Sequence, residues 1–148
     1  MFTFFVPGIP KPGGSKRGFI LPGTKRVIIT DANPKSRDWK TSVSQVANDH
    51  GVTPLSGPLE LSIDFIFPRP KGHFGTGKNE YVLKASAPQH HTVKPDATKL
   101  TRSTEDALTG IAWRDDAQVA VQTISKWYTQ NLETPGARIT IGQLEPSE

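Results

Sequence analysis

Leu59, Leu61, Ile63, Phe65 and Phe67 alternate with Glu60, Ser62, Asp64 and Ile66 over nine consecutive residues. Successive side chains on a strand point to opposite faces, so this run predicts one long strand with a clearly buried face. Pro68-Arg69-Pro70 ends it. A strand of this kind needs neighbours in a sheet and an apolar layer to cover its inner face. Phe2 to Val6, stopped by Pro7-Gly8, reads as a first strand; Val119 to Ile124 and Ala137 to Gly142 read as the last two. Gly18 to Leu21 and Arg26 to Thr30 flank Pro22-Gly23-Thr24-Lys25, which predicts a hairpin.

The covering layer is also written in the spacing. Trp39, Val43, Val46, Ala47 and His50 fall on one face of a helix, with Asn33-Pro34 as its start and Gly51 as its stop. Leu100, Thr104, Ala107, Leu108 and Ile111 define a second helical face, stopped near Gly110. The expectation is an α/β protein of the α+β kind: one mixed sheet with two main helices. A single domain is expected over residues 1–148, with 143–148 fraying. Between the long strand and the second helix, residues 69–95 show little periodicity, and a loop of that length in a small domain is functional or mobile.

Composition removes whole classes of function. With no Cys there are no disulfides, thiolate metal sites or thiol nucleophiles. The apolar runs are far too short for a membrane span, and Met1 leads into Phe2 without a basic leader, so a cytoplasmic protein is expected. Residues 1–102 hold 15 Lys and Arg against 7 Asp and Glu, whereas 103–148 hold 3 against 7. A basic front and an acidic back fit a polyanion partner, nucleic acid above all.

The usual catalytic signatures are missing: no dinucleotide fingerprint, no phosphate-loop lysine, no nucleophile elbow and no paired-His zinc spacing. His90-His91 reads as an adjacent pair of exposed loop histidines, more often inert than ligating. The carboxylates bracketing the second helix are more informative. Asp96 follows Pro95 just before it, and Asp115-Asp116 comes just after it. Oxygen donors of this kind suit hard Mg²⁺, with substrate phosphate completing the shell. On the residues alone, Asp96 as a helix cap and Asp115-Asp116 as a solvated turn is the better account.

Three segments in order, Lys94-Pro95-Asp96-Ala97-Thr98-Lys99-Leu100, Glu105-Asp106-Ala107-Leu108-Thr109-Gly110 and Trp113-Arg114-Asp115-Asp116-Ala117-Gln118-Val119, resemble the core signature of the RusA family of Holliday-junction resolvases. Val6-Pro7-Gly8-Ile9-Pro10 with Gly14-Ser15-Lys16-Arg17 resembles that family's opening, and 68–77 resembles its phage branch. The resemblance implies a Mg²⁺-dependent endodeoxyribonuclease, with Mn²⁺ able to substitute. It further implies a homodimer that binds four-way DNA junctions and resolves them by paired nicks in recombination and repair.

By the same resemblance Asp96 and Asp116 are metal ligands, with Asp115 beside them. Thr98 stands where the family pattern has a second Asp, and Lys99 where it has Asn. Arg102 matches a family lysine; it keeps the charge but cannot donate a proton. The catalytic set is thus Asp96, Asp116, Arg102 and Lys99, and the metal set Asp96, Asp116, Asp115 and Thr98. For DNA the candidates are Lys16, Arg17, Lys25, Arg26, Arg69, Lys71 and Lys94 on phosphates, with Phe74 as a wedge into unpaired bases. Two alternatives go with the departure at Thr98: a branched-DNA-binding protein with weak or no cleavage, and a nuclease of flaps or forks.

Overall fold

The computed structural model describes residues 1–13, 16–20, 27–31, 35–130 and 133–145, and side chains within 1–13 and from 38 onward. Lys25, Arg26 and the Asn33-Pro34 helix start lie outside the described residues, as do the side chains of Lys16 and Arg17.

Strand β1 (Phe2–Pro7) is followed by a hairpin of β2 (Lys16–Ile20) and β3 (Val27–Asp31). Then come helix α1 (Lys35–Asp49), the long strand β4 (Leu59–Phe67), helix α2 (Ala97–Leu108), and strands β5 (Val119–Tyr128) and β6 (Gly136–Gln143). The expected order of elements is present. The sheet is mixed, in the order β1-β6-β4-β5, while β2 and β3 pair only with each other as a separate two-stranded sheet. β4 runs antiparallel to β6 and parallel to β5. Parallel neighbours need a crossover, and here the chain from 68 to 118, with α2 inside it, supplies one.

The inner face of β4 behaves as its alternation predicts. Leu59, Leu61, Ile63 and Phe65 are completely or almost completely buried, and Phe67 nearly so. They meet Trp39, Val43 and Ala47 of α1, Leu100 and Leu108 of α2, and Ile139 and Ile141 of β6 in one core. Each such side chain contributes about 1.5–3 kcal/mol by leaving water. Ile66, on the opposite face, is also buried, and it lines a recess there with Asp64, Trp127 and Arg138.

Polar groups tie the two helices together inside this core. Trp39 Nε1 donates to Thr104 Oγ1 at 3.2 Å, and Thr104 Oγ1 donates to the Leu100 carbonyl at 2.9 Å. Ser44 Oγ donates to the Ala107 carbonyl. Trp113 is fully buried, as expected, with Nε1 donating to Thr109 Oγ1.

β5 is the sheet edge beside α2, and it is longer than the apolar run at 119–124 predicted. Its second half is partly covered by the loop ahead of α2. His91 N–H donates to the Lys126 carbonyl and Tyr128 N–H to the Gln89 carbonyl, forming a bridge between His90 and Trp127. Ala120, Val121, Gln122 and Thr123 remain exposed.

That bridge corrects the reading of the histidine pair. Because 89–91 lies strand-like along β5, neighbouring side chains face opposite ways. His90 is exposed against Trp127, with ring centroids 4.1 Å apart, while His91 is buried and stacks on Phe67 at 3.9 Å.

Candidate active site

The site is laid out by α2 and the helix-facing side of β5. Alternation along β5 turns Gln122, Ile124, Lys126 and Tyr128 toward α2 and the loop before it. Gln122 Nε2 donates to Glu105 Oε1, late in the helix. Lys126 Nζ donates to the carbonyls of Val93 at 2.9 Å and Pro95 at 2.7 Å, just before the helix. Strand and helix therefore run alongside each other in opposite directions.

At the amino end of α2, the Lys94–Pro95 peptide is cis. Asp96 is the N-cap: its backbone is extended and its Oδ1 accepts the Lys99 N–H at 2.9 Å. A carboxylate there satisfies a donor that the helix cannot. Burial holds the Lys126 ammonium below the ordinary lysine value, with the Asp96 charge working in the opposite direction.

Farther along, a groove of about 240 Å³ opens between α2 and β5. Thr98, Arg102 and Glu105 lie at i, i+4 and i+7 on one helical face; Asp116 and Gln122 form the opposite wall. Glu105 is half-buried. Burial pushes its carboxyl up from the usual value, the Gln122 hydrogen bond opposes this, and the Asp116 and Asp106 charges add to it. Asp106 also lines the groove, but it pairs with Lys40 of α1 at 3.4 Å.

The adjacent aspartates have different surroundings. Asp115 caps a single 3₁₀ turn at Asp116–Gln118, its Oδ1 accepting the Ala117 N–H at 2.9 Å. Gln118 completes the reciprocal cap and anchors the turn by donating to the carbonyls of Leu55 and Gly57. This turn brings Asp116 to the groove.

The sequence-predicted residues thus divide. Thr98, Arg102 and Asp116 share the groove, while Asp96 stands at the head of α2. Lys99 is exposed, and its carbonyl accepts the Gly13 N–H. Among the DNA candidates, Lys71 and Lys94 are exposed. Arg69 is half-buried and donates to the carbonyls of Thr129 and Pro88, both at 2.7 Å, bracing the loop. Phe74 is half-buried in a bridge with Leu83; Tyr81 is the exposed aromatic of that loop, at 86%. Sequence reasoning missed Glu105, Gln122, Lys126 and Tyr81. The first of these carried a signal, since Glu105 follows Thr98 and Arg102 at helical spacing.

The donor set suits a hard cation: carboxylates and a hydroxyl, with no sulfur. Among the described residues no three His, Cys, Asp or Glu side chains group closely enough to hold a metal ion. A hard cation held here would have one or two protein carboxylates and would take phosphate or water for the rest.

Among the described residues no helix is long and apolar enough to cross a membrane. The chain is 30% identical over 128 residues to YqaN of Bacillus subtilis (strain 168), an uncharacterized protein, covering 86% of this chain and 87% of that one. Residues 11–142 match the family described as endodeoxyribonuclease RusA. With its two-helix, mixed-sheet fold and an oxygen-donor groove along α2, the chain belongs to the RusA endodeoxyribonuclease family.

Proposed function

We propose that this protein is a Mg²⁺-dependent, structure-selective endodeoxyribonuclease that binds four-way DNA junctions as a homodimer and resolves them by paired nicks. The observation that carries this reading is the groove in which Arg102 and Asp116 face each other across α2 and β5. Arg102 offers a fixed fork of donors to a backbone phosphate. Asp116 and Asp96 would hold the cation, Thr98 adding a neutral oxygen. When bound, Mg²⁺ lowers the pKa of a water and neutralises charge on the leaving oxygen. Exposed Lys71 and Lys94 supply phosphate contacts that fix register.

Two matched cuts require two copies of this groove, so a dimer is part of the mechanism. The 119–124 stretch of β5, exposed from Ala120 to Thr123, is one candidate interface; the hairpin at 18–30, whose side chains lie outside the described set, is the other. Light scattering without DNA should return about twice 16.2 kDa.

The second reading, a branched-DNA-binding protein with little cleavage, is favoured by the missing third ligand among the described residues. Labelled four-way junction, flap and linear duplex, each with Mg²⁺, Mn²⁺ or chelator, decide the matter. Paired metal-dependent nicks in the junction support resolution. Tight junction binding without cuts in either metal supports the second reading, and faster flap cutting moves the substrate to flaps or forks.

A further inference from the structure

At the carboxyl end of β4, a second cleft of about 430 Å³ lies beside the head of α2. That is within the size range of small-molecule pockets, and carboxyl ends of parallel strands are where open α/β sheets bind ligands. Ile9, Phe67 and Pro95 give it apolar walls, and Lys11 and Lys94 give it positive charge. Among the described residues none of its lining side chains is a carboxylate. His91 completes the wall. It keeps only 6% of its surface exposed, and its Nδ1 has no hydrogen-bond partner among the described residues.

Both walls are fastened to the site. On one side Ser103 Oγ donates to the Lys11 carbonyl at 2.6 Å, and Gly13 N–H donates to the Lys99 carbonyl at 3.0 Å. A Cβ at Gly13 would sit 3.4 Å from the Ser103 backbone, so the strap lies close against α2. On the other side Lys126 holds the carbonyls of Val93 and Pro95. The cleft is therefore preformed, and Pro95 separates it from Asp96 by a single peptide bond.

We propose that this cleft takes one unstacked nucleobase of the strand being cut, with the adjoining phosphates on Lys11 and Lys94; this rests on the branched-DNA reading above. Apolar walls from Ile9 and the prolines, with Lys11 and Lys94 among them, favour a base with its phosphates over a phosphate alone, since every base has an apolar face. The wall holds an imidazole whose Nδ1 is buried and unpartnered among the described residues, and a turn of the ring toward the cleft would bring it to a base edge. Burial and the Lys126 charge hold His91 below its ordinary value, against the opposing pull of its own backbone, and so favour the neutral ring with one donor and one acceptor. A base lodged there fixes the next phosphate at the head of α2.

Two measurements on the full chain test this. In an NMR titration with millimolar dCMP and dAMP, signals of His91 and Ile9 should shift saturably, and inorganic phosphate at equal ionic strength should leave them in place. No shift with either nucleotide, or the same shift with phosphate alone, overturns the proposal. Ile9 is half exposed, so Ile9→Glu puts a carboxylate in the cleft without cutting into the core; it should abolish the nucleotide shifts. In the second measurement, four-way junctions carry a single abasic site at each position around the exchange point. One position should weaken wild-type binding about tenfold, the worth of one stacked base, and the same junction should cost Ile9→Glu nothing further. Equal loss at every position overturns the cleft while leaving junction binding standing. Failure to bind any branched DNA overturns the functional reading instead, and the nucleotide titration then decides the cleft by itself.

Discussion

At its amino end α2 is held by its neighbours: the Asp96 cap, the Lys126 clamp on Val93 and Pro95, and the Gly13 and Ser103 contacts of the 9–13 strap. Along its carboxyl half the same helix turns Arg102, Glu105 and Asp106 into a groove where carboxylates act on one another. One end is fixed by hydrogen bonds to main-chain atoms, which set position. The other carries the charged side chains to which the proposed function assigns a cation and a phosphate. Geometry and charge are thus assigned to different turns of one helix, and substitutions should separate them.

The largest expected effect comes from Asp116→Asn and Asp96→Asn. Each should lower Mg²⁺-dependent junction cleavage by on the order of a hundredfold or more, with junction affinity in gel shifts nearly intact. Asn caps helices as well as Asp does, so Asp96→Asn should leave stability within about 0.5 kcal/mol of wild type. A large loss of stability would mean that the Asp96 charge beside Lys126, and not only the cap, holds the head of α2. Next comes Lys126→Met, which removes two hydrogen bonds from a charged donor and should cost about 2 kcal/mol in denaturant unfolding. Unfolding unchanged from wild type would show that the head of α2 is positioned without the clamp.

Thr98→Asp sharpens the other side of the contrast. Adding a carboxylate to the groove should lower the Mg²⁺ midpoint for cleavage several-fold. An unchanged or higher midpoint means the residue faces away from the cation. The smallest effect concerns acid. His91 titrates below its ordinary 6.5 when folded, so the unfolded chain binds a proton first as pH falls. Its contribution is fully present above about 6.5 and is lost as pH drops through the lowered folded value. His91→Phe keeps a ring on Phe67 and should give a shallower acid limb in urea midpoints between pH 7 and 5. An acid limb as steep as wild type would assign that loss to other groups.

β4 and α2 were legible because burial there follows a period, 2 in one case and 3.6 in the other. Asp96, Arg102 and Asp116 were singled out through the family pattern; the structure puts Arg102 and Asp116 on one groove and makes Asp96 the cap that residue-level reasoning allowed. Lys126 and Gln122 were not. They sit on an edge strand whose outer half follows no hydrophobic pattern, and their partners come from segments far away in sequence. His91 was misread because an irregular stretch joined a strand edge and acquired an inside and an outside. The hairpin's pairing was readable from its turn; its separation from the main sheet depends on tertiary contacts that no local signal carries.

The uncovered half of β5 has one more consequence. In the homodimer of the proposed function, edge N–H and C=O groups from Val119 to Thr123 would be open to a partner strand, and a copy of the same edge related by a two-fold axis normal to the sheet would pair antiparallel. That operation continues the sheet without turning it over. Both helical layers would then lie on one broad face, both grooves would open toward the same side, and a flat, opened junction laid across that face would meet two cutting sites at once.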